Sequence, residues 1–262
     1  MIDNMKQELI IGILGMPDNE NTPKLIQYLS SNDISITFVI YWKPSKKDQY
    51  KRVVRKLKSA GIIPTIKRIY YALIKMKAGK HKQYRKNFKQ YFVSSHNSLE
   101  CQEILQKEKV DILVLATDAI VTYKILKLPQ LATLNAHLGW IPLFRGLGSN
   151  CFQLEKGKFP AISVHKVDEG VDTGPLILRE CIEVDPKCGL NIIEDQISLL
   201  QRDLLLKTIK MFIEGSVEYI DTFEEPSNMT RGMSLKQRKA LDRKLKSGKL
   251  KLSSFDGLGK AV

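Results

Sequence analysis

Short apolar runs alternate with longer polar or periodic stretches over the first two thirds of the chain, the pattern of strands separated by helices. Residues 8–15, Glu-Leu-Ile-Ile-Gly-Ile-Leu-Gly, read as a buried first strand ended by Gly15. A run apolar at every position belongs in a parallel sheet that is covered on both faces. The polar loop after it leads to a helix expected from about Thr22 to Leu29, with Thr22 and Pro23 in the first turn. A second strand is expected over 34–42, a short one over 92–94, a helix over 98–107 and a strongly apolar strand over 110–116. Residues 117–122 leave that strand, and the next one follows Pro129 over 131–135.

Further strands are expected over 161–167 and 176–182. Ile193, Ile197, Leu200, Leu204 and Met211 mark one face of a helix over 189–212, which Gly215 ends. This alternation predicts an α/β fold: a Rossmann-like, open, mostly parallel sheet with helices on both faces. Ligands of such sheets sit beyond the carboxyl ends of the strands, where Asn135, His137 and the 117–122 loop fall. No Gly-x-Gly-x-x-Gly follows the first strand, which argues against a nicotinamide-dinucleotide enzyme. From Thr222 the chain turns polar, and 236–251 carries Lys and Arg with little apolar content. The expected organisation is a main domain over 1–215 and a basic C-terminal appendage over 216–262, loosely attached and holding one helix.

The stretch 46–90 reads as helical, broken at Gly61 and Pro64. Ile62, Ile66, Ile69, Leu73 and Met76 fall at helical spacing, and Ile63, Tyr70 and Ile74 widen the stripe. Lys67, Arg68, Lys75 and Lys77 flank it. A helical insert packed on the core with a solvated basic face is the plainer account. An interfacial helix on an anionic membrane is the other. Charge sharpens the point. Between Lys43 and Gln90 there are 17 Lys and Arg against the single acid Asp48, a local balance of +16. The net charge of the whole chain is +14, so the remainder carries −2. Positive charge gathered in one insert, 43–90, concerns a local partner and not the fold.

With 262 residues and 43% hydrophobic content the chain can bury a sizeable core. No apolar run reaches the roughly 18–20 residues that span a bilayer. No secretory leader is evident at the start, so a cytoplasmic location is expected. Cysteines at 101, 151, 181 and 188 form no Cys-x-x-Cys pair and are expected as reduced thiols without zinc. His81, His96 and His165 have no partners at ligand spacing, so no metal is expected.

One ordered string carries chemistry. Asn135-Ala-His137 closes an apolar run, Leu-Pro-Leu-Phe-Arg145-Gly146 follows, and Val-Asp172-Thr-Gly174 comes 35 residues after the histidine. An amide and a cationic ring can hold a developing oxyanion, while a carboxylate tunes the ring and passes protons. Each residue alone has a plain structural account: a turn asparagine, a core histidine, a loop-capping aspartate.

The string, NAHLGWIPLFRG over 135–146 with VDEGVDTGPLI over 167–177, resembles the formyltransferases that use 10-formyltetrahydrofolate. Those include glycinamide ribonucleotide formyltransferases, methionyl-tRNA formyltransferases and the N-formyltransferases of nucleotide-linked amino sugars. The resemblance is specific over about 105–180 and nearly absent after about 215. It departs at Leu138-Gly139-Trp140, where the family often has Pro-Ser, and that change is expected to touch the lining of the site. The resemblance implies catalytic roles for Asn135, His137 and Asp172. It implies a pterin pocket for the cosubstrate formed by Asp118, Ala119, Ile120, Val121 and Thr122 together with Asp168 and Gly170. Arg145 and Gly146 fall on its acceptor side, where a guanidinium can pair with phosphate or form an ordinary surface salt bridge.

The expected acceptor is the primary amine of a small molecule, a nucleotide-linked amino sugar for surface polysaccharide synthesis. Methionyl-tRNA and glycinamide ribonucleotide are the alternatives. The tRNA reading is weaker because only about 80 residues follow Cys181, without the pattern of a second β domain. Peripheral membrane contact through 43–90 and a homodimer stay open. A different class also stays open: a nucleic-acid-binding protein on a formyltransferase-like scaffold, its basic stretch the active feature.

Overall fold

The computed structural model describes residues 8–16, 20–43, 50, 54, 88–117, 119–222 and 226–255. Nearly all of the basic insert expected at 43–90, with its apolar stripe, lies outside the described residues, as does Asp118. Seven strands form one sheet in the order β3-β2-β1-β4-β5-β7-β8. These are β1 (Ile11–Gly15), β2 (Phe38–Trp42), β3 (Lys89–Val93), β4 (Ile112–Ala116), β5 (Ala132–His137), β7 (Ala161–Lys166) and β8 (Leu176–Cys181). The first five run parallel, while β7 is antiparallel to both β5 and β8. The sheet is therefore mixed at one end. The 167–175 link between β7 and β8 carries no helix, and a parallel pair needs a longer crossover.

Alternation along the strands divides the core in two. Ile11, Ile13, Val39, Val114 and Leu134 face α1 (Asn21–Ser30), α4 (Ser149–Glu155) and α5 (Leu190–Glu214). Leu14, Phe38, Ile40 and Leu113 face α2 (Leu99–Glu108) and the short α3 (Tyr123–Leu126). Helices thus cover both faces of the sheet, as the apolar runs imply. Gly12 permits one close contact: a Cβ there would stand 2.4 Å from the Phe38 ring. Ser98 caps α2 by accepting from the Cys101 N–H at 3.3 Å. At the edge, β3 begins at Lys89 and not at the expected Phe92. Its first residues are polar because Lys89 pairs with Glu108 at 2.8 Å and Tyr91 meets Phe38 edge-on.

The tail corrects the expectation of loose attachment. Its strand β9 (Met229–Arg231) pairs in parallel with β6 (Arg145–Leu147), and its helix α6 (Leu235–Lys246) buries Leu241 and Leu245 against the main core. Asp242 accepts from the Leu190 N–H at 2.8 Å, capping the long α5. Arg238 grips Glu194 through two contacts of 2.9 and 2.8 Å. Phe255 stacks on Trp140, with centroids 4.3 Å apart and planes 9° apart. Trp140 therefore joins a buried cluster with Phe144 and Phe255. Within the departure at 138–140, Trp140 anchors the tail, while Gly139 lies against His137 in the lining of the site, as expected.

Candidate active site

Strand β5 delivers the first two groups. Its residues alternate faces, so Asn135 and His137 project from one side while Leu134 and Ala136 are buried in the core. The strand reaches His137 itself, two residues beyond the expected end at 135. Strand β7 lies antiparallel beside it, with His165 opposite Asn135 and Ser163 opposite His137. The loop after β7 returns Asp172 to the same place. Asp172 has φ 52°, a left-handed backbone that aspartate tolerates better than most residues.

The side chains converge. His137 Nδ1 lies 3.2 Å from Asp172 Oδ2, and the Asn135 amide donates to Asp172 Oδ1 at 3.3 Å. The Gly146 N–H donates to Asp172 Oδ2 at 2.9 Å. His165 Nε2 lies 3.2 Å from the Asn135 amide nitrogen and 3.6 Å from Asp172 Oδ1. The trio is thus a quartet. His165, set aside in the sequence as an unpartnered strand histidine, belongs to it. Its signal was present: Ser163 and His165 alternate with the buried Ile162 and Val164, so one face of an interior strand is polar.

The electrostatics favour proton movement. His137 is buried, and burial pushes its ring below the ordinary histidine value. Asp172 and the Phe144 carbonyl push it up; His165 and Arg145 push it further down. Burial alone would raise the Asp172 carboxyl. The His165 hydrogen bond, the His137 charge and the Gly146 N–H overcome that and hold it below its ordinary value. The Nε2 of His137 lies 2.8 Å from the Phe144 carbonyl, an acceptor, so that nitrogen carries its proton. Its other nitrogen faces a carboxylate. Two acceptors thus invite a doubly protonated ring that burial disfavours, and a proton shared in this way is easily passed on.

The surrounding loop is built to hold His137. Ser163 donates to the Gly139 carbonyl at 2.6 Å and accepts from the Ile141 N–H at 3.0 Å. Arg179 donates to the Ile141 carbonyl at 2.6 Å and lies over the Trp140 ring. A Cβ on Gly139 would stand 2.3 Å from the Phe144 carbonyl oxygen and 2.6 Å from His137 Nε2. Only glycine leaves room for that contact.

The remaining candidates divide. Arg145 donates to the Val171 carbonyl at 3.3 Å, and among the described residues it has no carboxylate partner. The Gly146 amide is engaged by Asp172. The 119–122 loop leaves β4 beside β5, at the same carboxyl edge as His137. Asn97 fastens it, donating to the Ile120 carbonyl at 2.9 Å and accepting from the Thr122 N–H at 2.8 Å. The Ala119 N–H donates to Thr117, Ile120 is 87% exposed, and Val121 is half-buried. Asp168 turns inward on its own loop, accepting from the Gly170 N–H at 3.0 Å and from the Thr173 hydroxyl at 2.7 Å. No group of three His, Cys, Asp or Glu among the described residues could hold a metal ion. A cleft between Glu8–Ile10, Ser35–Thr37 and Phe88–Lys89 lies at the opposite, amino edge of the sheet and touches none of these residues.

The formyl transferase family matches residues 16–209, most of the chain and the whole of this site. This chain belongs to that family. A methionyl-tRNA formyltransferase from Prochlorococcus marinus is 32% identical over 127 residues, which are 48% of this chain and 36% of that protein. The chain thus spans little more than a third of the length of that curated relative. Among solved structures, a sugar N-formyltransferase from Shewanella matches with a TM-score of 0.56 and 16% identity, covering 98% of this chain and 96% of that one. The N-formyltransferase from Helicobacter canadensis, in complex with folinic acid and dTDP-3-aminofucose, matches with a TM-score of 0.53 and 14% identity over 85% of this chain and 70% of that one. At these identities the two structures establish the formyltransferase fold.

Proposed function

We propose that this member of the formyl transferase family moves a formyl group from 10-formyltetrahydrofolate to a primary amine, that of a nucleotide-linked amino sugar. The observation that carries the reading is the closure of Asn135, His137 and Asp172 around one point at the carboxyl edge of the sheet. The uncharged amine attacks the formyl carbon, a C–N bond forms, and negative charge builds on the formyl oxygen. The Asn135 amide serves that oxygen, joined by a protonated His137 once its Nε2 turns from the Phe144 carbonyl, a single such donor being worth about 3–4 kcal/mol of barrier. The amine's proton passes through Asp172 and His137 to N10 of the donor as the old C–N bond breaks and tetrahydrofolate leaves. The exposed Ile120 and its fastened loop, with the Asp168–Gly170 turn, would hold the pterin. Asp118 belongs to the same proposal.

The acceptor is chosen on two supports. Sugar N-formyltransferases share the fold over nearly the whole of both chains, and the Helicobacter neighbour carries a dTDP-linked amino sugar. A second reading, methionyl-tRNA, has the sequence relatives in its favour. The test is a panel: 10-formyltetrahydrofolate with nucleotide-linked amino sugars, glycinamide ribonucleotide and methionyl-tRNA, following release of tetrahydrofolate. Turnover with an amino sugar is expected, and His137→Ala should abolish it while the protein stays folded. Turnover confined to methionyl-tRNA would overturn the acceptor; undiminished turnover by His137→Ala would overturn the mechanism.

A further inference from the structure

Strand β9 comes from the tail, beyond the residues that the family matches, yet it stands beside the site. The order across that edge is Asp172, then β6, then β9. Gly146 on β6 donates its N–H to Asp172, and Arg145 donates its own N–H to the Asn228 carbonyl next to β9. Pairing in register sets Arg145 against Met229 and Leu147 against Arg231. Alternation along the strands assigns these four side chains to one face of the ribbon, with Gly146 at φ 85° between Arg145 and Leu147. The other face carries Thr230, whose hydroxyl is engaged. The one proton of the Thr230 hydroxyl is shared between the carbonyls of Arg145 at 2.9 Å and Leu147 at 2.8 Å, and the Ser149 hydroxyl lies 3.0 Å away.

The free face is unlike ordinary surface. Leu147 is 73% and Met229 60% exposed, side by side with two guanidinium groups, and Val171 adds a half-exposed apolar residue next to Asp172. Among the described residues neither Arg145 nor Arg231 has an acidic partner, and the Arg145 Nε is buried without a hydrogen bond. Two guanidinium groups without a carboxylate partner, that of Arg145 held by the Val171 carbonyl, with apolar surface between them suit a ligand that is anionic and partly flat. Phosphate oxygens take the arginine forks, and a base or sugar ring lies on the apolar side chains. From strand spacings, Arg231 lies about 6 Å along and across the ribbon from Gly146, the residue bonded to Asp172. A molecule with its amine at Asp172 therefore has its next few atoms over this face.

We infer that the exposed face of the β6–β9 ribbon holds the diphosphate of the acceptor, with Arg231 and Met229 as specificity-determining residues supplied by the tail. This rests on the amino-sugar reading above, and the experiment separates the two. The probe is dTDP, titrated into the full chain by calorimetry, with folinic acid as a control for the other half of the site. Arg231→Leu should weaken dTDP about tenfold and leave folinic acid unchanged, and Arg231→Lys should recover part of the loss because it keeps the charge. With an active acceptor, Arg231→Leu should raise the acceptor KM about tenfold, with little change in kcat or in the folate KM. Equal dTDP affinity for wild type and Arg231→Leu overturns the inference, as does a wild type that fails to bind dTDP at millimolar concentration. A concentration-dependent dimer that buries this face and excludes dTDP also overturns it. Binding of dTDP that depends on Arg231, in a protein with no turnover on any amine, upholds the inference and sinks the catalytic reading alone.

Discussion

At the scale of single residues, Asp172 is the point through which the site is held. It accepts from a backbone N–H and a side-chain amide, faces two imidazoles, and does so from a left-handed backbone. Asp172→Asn keeps the shape and removes the charge that pushes His137 up, so the ring falls further toward neutrality. A fall in kcat/KM of about 10²–10⁴ is expected, with the thermal midpoint within a few degrees. Steady-state rates and a melting curve check this, and a loss under threefold would remove Asp172 from proton transfer. Gly139→Ala should also inactivate, because its Cβ would strike the Phe144 carbonyl that His137 meets. Overpacking of this kind costs about 1–3 kcal/mol, measurable by urea unfolding. The same burial has a pH signature. His137 titrates lower in the folded chain than its ordinary 6.5, so its contribution to stability is complete above about pH 6.5 and is lost as the pH falls through the folded value. Asp172, also lowered, acts in the same sense below its ordinary 3.8. Unfolding free energy should therefore fall as the pH drops below about 6.5 toward the lowered His137 value, and less steeply in His137→Gln. Identical slopes in urea titrations of the two proteins would contradict the burial argument.

Elements differ in how plainly the sequence announces them, and the reason is physical. β1, β4 and α5 are buried along their length or along one face, so apolar runs and periodicity mark them. β6 and β9 have three residues each, Arg-Gly-Leu and Met-Thr-Arg, too short for a period and half exposed. Helix α6 hides Leu241 and Leu245 among seven Lys, Arg and Asp residues, so a polar average masks a narrow apolar stripe. The convergence of Asn135, His137 and Asp172 was legible because their ordered motif is rare. His165 was legible only in part: the polar face of its strand shows in the sequence, but nothing in one sequence says which strand lies beside β5. The packed tail yields a direct test. Leu245→Ala should lower stability by about 2–5 kcal/mol, the usual cost of a cavity at a fully buried leucine. Asp242→Ala, which removes the cap on α5, should cost about 1 kcal/mol. Denaturant midpoints measure both, and a neutral Leu245→Ala would restore the loosely attached tail.

At the scale of the whole molecule, chemistry and charge occupy different parts of the chain. The proposed site gathers at the carboxyl edge of the sheet from β5, β7 and the loops beside them, whereas 17 of the 42 Lys and Arg lie between Lys43 and Gln90. A block of that density attracts any polyphosphate through release of condensed counterions, whatever happens at the sheet edge. This is what gives substance to the nucleic-acid-binding alternative and to the tRNA acceptor. The two ideas separate on salt and on turnover. The full chain should be retained on immobilised heparin at low salt and released steeply as salt rises. Replacing eight of the basic residues between 51 and 86 by glutamine should abolish that retention. If the acceptor is a small nucleotide-linked amine recognised at the β6–β9 ribbon, its kcat/KM should stay within about twofold in the same variant. A parallel collapse of retention and turnover would make the basic block part of acceptor recognition, which is the behaviour of a polyanionic acceptor such as tRNA and not of a sugar nucleotide.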